Sequence, residues 1–135
     1  MPITIQSFHP DPFIEAPINY LTVTTNIEGR NTLALIDTGA QPCVIKRSCV
    51  PANTIINDND TRIKGVNGPE IKVSGQAEVP IRINQTLFIQ QCLVLEDSSM
   101  DFPANCDVII GANFLAQHKV DIILTLYGSN FRLRK

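Results

Sequence analysis

Hydrophobic and polar positions alternate over much of this 135-residue chain, with the period of two that turns one side of a strand toward a core. In residues 18–36, Tyr20, Thr22 and Thr24 interleave with Leu21 and Val23 before Glu28, Gly29, Arg30 and Asn31 supply turn chemistry, which predicts a hairpin. Residues 61–75 predict a second hairpin with its tip at Asn67-Gly68, because both residues tolerate positive φ. Pro69 removes a ladder donor directly after that tip, as suits an exposed turn. Residues 77–83 and 87–95 predict a third pair turned at Asn84-Gln85, and residues 107–110 a further apolar strand. Residues 112–118 suit a helix of about two turns. Residues 119–135 read as strand, Gly-Ser-Asn turn and last strand, and the prolines among residues 1–17 leave room only for a short edge strand around Ile3 and Ile5. The pattern is all-β apart from one short helix.

Composition narrows the class. The length fits one domain, residues 1–135. With no Trp and few aromatics the core must be mostly Ile, Leu and Val. A formal net charge of −2, without a Lys/Arg cluster, argues against a nucleic-acid or anionic-membrane partner. Arg132, Arg134 and Lys135 read as a solvated basic end. No apolar run reaches the ~18 residues needed to span a bilayer, and the start lacks a basic-then-apolar signal, so the expectation is an intracellular chain or one excised from something larger. Cys43, Cys49, Cys92 and Cys106 show no paired metal-ligand spacing, and His9 and His118 lie far from them; no metal is expected. In a reducing compartment these cysteines are small buried apolar groups or occasional reactive thiols.

The candidate chemistry sits at Asp37-Thr38-Gly39, after the apolar run of residues 33–36. A carboxylate at the mouth of an apolar strand needs something to hold it. The strand fixes the acid, Thr38 can lock the loop by hydrogen bonding, and Gly39 permits close backbone approach. The same tripeptide also makes an ordinary surface turn. Asp107 lacks a following Thr-Gly and reads as structural, while Asp58, Asp60, Asp97 and Asp101 read as solvated loop acids. His118, closing the predicted helix, reads as a cation that complements the helix dipole.

In order, the Asp-Thr-Gly turn, the Asn-Gly hairpin and the apolar Val108-Ile109-Ile110-Gly111 before a helix resemble the retropepsin family, the single-domain aspartic proteases of retroviruses, pararetroviruses and long-terminal-repeat retrotransposons. The resemblance spans roughly residues 18–127. It implies a small closed β-barrel-like acid-protease fold with a flap hairpin. Asp37 matches the catalytic acid, Thr38 the residue that bonds across a dimer, and Gly39 and Ala40 the loop bordering substrate. The hairpin of residues 62–72 matches the flap, with Gly65, Val66, Asn67 and Gly68 at its tip. Ile109, Ile110 and Gly111 match the supporting strand, with Asn113 to Leu115 on the helix after it. Ala40, Ile45, Val66 and Ile110 become candidates for lining substrate pockets. Many retroviral members carry an ion pair at the positions held here by Gln41 and Ala112; losing both partners together leaves no charge uncompensated.

Two carboxyls sharing a proton are needed for this hydrolysis, and the chain offers one Asp-Thr-Gly. The resemblance therefore implies a homodimer, a peptide or polyprotein substrate, no cofactor, an acid-side pH optimum and concentration-dependent activity. The terminal strands either interleave between subunits or form edges within one chain. Two alternatives stand beside this reading: a domain of the same fold with weak or regulated peptidase activity, acting mainly in dimerisation or protein binding, and a small barrel with a chance Asp-Thr-Gly.

Overall fold

The computed structural model describes residues 3–8, 20–64, 70–99, 102, 105–125 and 128–133. Along the chain the strands are β1 (Ile3–Phe8), β2 (Tyr20–Ile27), β3 (Arg30–Ile36), β4 (Cys43–Lys46), β5 (Arg62–Lys64), β6 (Glu70–Lys72), β7 (Gly75–Ile83), β8 (Thr86–Leu95) and β9 (Val108–Ile110), then the helix α1 (Ala112–Gln117), then β10 (Val120–Thr125) and β11 (Gly128–Leu133). The helix is too short to cross a membrane.

Six of these strands close on themselves in the order β2-β3-β9-β4-β8-β7, with β7 returning to β2 at Asn26↔Arg82. Closure removes the open edges that a sheet of this size would otherwise present. The fold is thus the expected all-β barrel with one short helix. Antiparallel hairpins β2–β3 and β7–β8 form where the sequence alternates and turns: Glu28 and Gly29 take positive φ at one tip and Asn84 at the other. Pro80 is tolerated within β7 because β2 pairs with that strand only at Arg82, so the closing contact asks no ladder bond of residue 80. Two parallel pairings, β3 with β9 and β4 with β8, join segments distant in sequence.

Alternation then sorts the strands into two cores. Ala34, Ile36, Cys43, Ile45, Val108 and Ile110 point into the barrel, with Val79, Ile81, Val94 and Phe114. Their neighbours Leu35, Val44 and Ile109 point outward and join Val73, Leu95 and Phe102 in a second cluster, against which Ile63 of β5 and Ile71 of β6 pack. Thr25, buried inside, is satisfied by Thr32 across the hairpin at 2.6 Å between hydroxyl oxygens.

Three features depart from the sequence reading. The four-residue β4 was not expected, since so short an apolar run carries little period of its own. Gly128, Ser129 and Asn130 are not a turn: they pair with Thr125, Leu124 and Ile123 of β10, and Ser129 and Asn130 also pair with β1. Ladder bonds on both sides outweigh their turn preference. His118, expected to act as a cation on the helix dipole, is instead half-buried at the end of α1. Its ring packs against Phe88 and Phe114, with centroids 5.0 and 4.7 Å away, its Nε2 lies 3.0 Å from Gln90 Oε1, and burial holds its pKa below the ordinary value.

Candidate active site

Asp37 is the first residue past β3, and the parallel β3–β9 ladder continues through it: its N–H donates to the Ile110 carbonyl at 2.9 Å. The chain then turns at once. The Asp37 carbonyl accepts the Ala40 N–H at 3.2 Å, and its carboxylate Oδ1 accepts the Gly39 N–H at 3.0 Å, so the acid side chain is oriented by its own loop. Asp37 and Ala40 are half-buried, whereas Thr38 and Gly39 are exposed in the single protomer.

The far side of the loop is fastened to α1. No side chain caps that helix. Two of its orphan amides are satisfied by loop carbonyls, Ala112 N–H to Ala40 O at 2.7 Å and Asn113 N–H to Gln41 O at 3.0 Å. The approach requires glycine at position 111: a Cβ there would collide with the Pro42 carbonyl oxygen and come within 2.8 Å of Gln41 O. Gln41 and Ala112 thus belong to a clamp made of backbone.

The structure brings Asp37, Thr38, Gly39 and Ala40 together with Ile109, Ile110 and Gly111. It divides the candidates for lining a pocket. Ala40 packs on the outer cluster. Ile45 and Ile110 are fully buried inside the barrel, so neither lines a groove; both pair in register with residues whose side chains face the interior. Their outward neighbours Val44 and Ile109 take that side, which sequence parity alone could not assign. The tip residues Gly65, Val66, Asn67 and Gly68 lie outside the described residues. The base of their hairpin is formed by Arg62↔Lys72, Ile63↔Ile71 and Lys64↔Glu70.

Asp107 is held elsewhere. Its Oδ2 accepts the Leu33 N–H at 3.1 Å and its Oδ1 lies 3.7 Å from Lys46 Nζ, an ammonium that also sits 5.2 Å above the Phe102 ring. Because β3 and β9 are parallel, Asp107 stands level with Leu33, four positions before Asp37, roughly 13 Å back along the strand. It cannot share a proton with Asp37. Two open clefts, about 660 and 600 Å³, lie along β7 and β8, and neither is lined by Asp37.

Comparison with known proteins agrees with this geometry. The family described as retroviral aspartyl protease matches residues 19–123. No curated protein matches the sequence. Among solved structures, the retroviral protease-like domain of Ddi1 from Leishmania major is similar in fold, with a TM-score of 0.53 and 21% identity over 80% of this chain and 82% of that one. A sequence match of that extent, laid over a barrel of matching shape, makes the chain a member of the retroviral aspartyl protease family.

Proposed function

We propose that the chain is one half of an aspartic endopeptidase, completed when a second copy brings its own Asp37 opposite the first. The observation that carries this reading is the oriented carboxylate on an exposed loop: Gly39 N–H holds Oδ1 at 3.0 Å, while Thr38 and Gly39 stay uncovered in the protomer. Oδ2 is the atom assigned to the shared proton and the attacking water. One ionised carboxyl draws a proton from water as it attacks the peptide carbonyl, and the protonated one donates to the carbonyl oxygen. Neither metal nor cofactor enters these steps. Thr38 is assigned to the cross-subunit contact that holds both loops.

Contact between copies is supported by the sheet order. β1 is flanked by β11 and β2, and β11 by β10 and β1, so among the described strands of that terminal sheet β10 alone has a neighbour on one side only. A six-residue strand paired on one side only is a template for another strand. Substrate lies extended between the Asp37 loops and the β5–β6 hairpin, whose tip, Gly65 to Gly68, closes over it by main-chain bonds. The proposed substrate is a viral or retroelement polyprotein.

A second reading is favoured by the likeness to a domain described as protease-like: the same fold, with weak or regulated cleavage, acting mainly as a dimerisation or binding module. One experiment separates them. The purified chain is assayed on a peptide library at mildly acidic pH over a concentration series, with sedimentation in parallel. Specific activity is expected to rise with the dimer fraction, and Asp37→Asn to lower it by at least about 100-fold. A dimer that cleaves nothing favours the module; a fully active monomer, or an unaffected Asp37→Asn, overturns the dyad.

A further inference from the structure

β4 and β8 run parallel, and their register sets Cys43 directly beside Cys92. Neighbouring strands lie about 4.8 Å apart, within the roughly 4.4–6.8 Å Cα separation that a disulfide spans. Each residue is 1% exposed, and the Cys92 thiol donates to the Gln90 carbonyl at 3.7 Å. An open cleft of about 660 Å³ reaches this place, lined by Pro42, Cys43, Gln90, Cys92, Asn113 and others.

We propose that Cys43 and Cys92 are an oxidisable pair, closing to a disulfide under peroxide and reopening with a small thiol, and that closure disturbs the Asp37 loop. The second half of this statement rests on the protease reading; the first does not. Hydrogen bonding from Cys92, helped by the Gly111 and Phe114 amides, draws the Cys43 thiol below its ordinary pKa, while the bond to Cys43 and burial push Cys92 well up. Burial and the Asp107 carboxylate push Cys106 to about 11, and the same two causes raise Cys49. The product is the same whichever thiol of the pair reacts first; take Cys43. Its thiolate attacks peroxide: an S–O bond forms, the O–O bond breaks, and a sulfenic acid and hydroxide result. The Cys92 sulfur then attacks Cys43: the S–S bond forms, the S–O bond breaks, and the departing hydroxide takes the Cys92 proton. In sum two thiols and one hydrogen peroxide give one disulfide and two waters.

The link to the loop is one residue long. Cys43 follows Pro42, whose carbonyl oxygen stands where a Cβ of Gly111 would be. Drawing β4 toward β8 to close the S–S bond pulls on Pro42 and, through it, on the backbone that fastens Ala40 and Gln41 to α1.

The test treats the full chain with hydrogen peroxide, blocks remaining thiols with N-ethylmaleimide and maps peptides by mass spectrometry. A Cys43–Cys92 cross-link, 2 Da lighter than the reduced pair, is expected, reversed by dithiothreitol and absent from Cys92→Ala. Cleavage should fall by about tenfold or more on oxidation and return on reduction, whereas Cys92→Ala should keep whatever rate it has through peroxide treatment. Four blocked thiols after oxidation, or links joining other cysteines, overturn the pair. A link that leaves cleavage unchanged overturns the coupling to the loop. The cross-link is read without substrate, so a chain that cleaves nothing yet forms it refutes the protease reading alone. Should Cys92→Ala fail to fold, the map of the unaltered chain still decides.

Discussion

Replacing Gly111 by alanine puts a methyl group where the Pro42 carbonyl oxygen already stands, with Gln41 O only 2.8 Å from the same point. Both neighbours are backbone, so neither can swing aside as a flexible side chain would. Restoring ordinary contact moves the loop by on the order of 1 Å. Overpacking of this kind costs about 1–3 kcal/mol. The movement also strains two hydrogen bonds, Ala112 N–H to Ala40 O and Asn113 N–H to Gln41 O, each worth about 1 kcal/mol. Taken together, Gly111→Ala should cost about 2–4 kcal/mol and, at about 3–5 °C per kcal/mol for a chain of this size, lower the melting temperature by about 6–20 °C. Activity should fall further than stability, by up to about 100-fold at a temperature where the variant is still folded, because the displaced loop carries Asp37. Thermal unfolding followed by circular dichroism, with cleavage measured well below the transition, reads both. A variant that melts within about 1 °C of the parent and cleaves at the parent rate refutes the clamp.

Two further outcomes follow from the same contacts. Asp107→Ala removes the acceptor of the Leu33 N–H at 3.1 Å and the partner of Lys46; a loss of about 1–3 kcal/mol in urea unfolding is expected, and a change inside about 0.3 kcal/mol would deny the carboxylate its structural role. His118 has its pKa lowered by burial, so the folded chain binds fewer protons there than the unfolded chain. Stability is full above the unfolded value of about 6.5 and is lost as pH falls through the folded value, over the range in which acid-side cleavage is expected; His118→Asn should flatten that dependence in melts between pH 7 and 5, and an unchanged slope would place the titrating group elsewhere.

What the sequence made legible is what neighbouring residues decide. The β2–β3 and β7–β8 hairpins join strands adjacent in the chain, with turn residues that tolerate positive φ, and both were readable from alternation. What stayed hidden depends on residues far apart. β4 gains its identity only between β8 and β9, and His118 is enclosed by Phe88 and Gln90 of β8 as well as by Phe114 of its own helix. Parity alone shows that Ile109 and Ile110 face opposite ways, yet not which way, and so the inward Ile110 could be mistaken for a pocket wall. The parallel pairing of Ile36 with Ile110 resolves this. It also accounts for the acid at the end of an apolar run. Leu33 and Leu35 face the outer cluster, beneath Ile63 and Ile71 of the hairpin, while Ala34 and Ile36 fill the barrel. One step beyond Ile36 the alternation returns outward, so a carboxylate at position 37 leaves the strand on the hairpin side, where its Oδ1 meets the Gly39 amide instead of an apolar core. A one-residue shift of β3 would bury that charge among Val108, Ile110 and Phe114, at a desolvation cost no single amide could offset. The register that packs the barrel is therefore the same register that presents the acid.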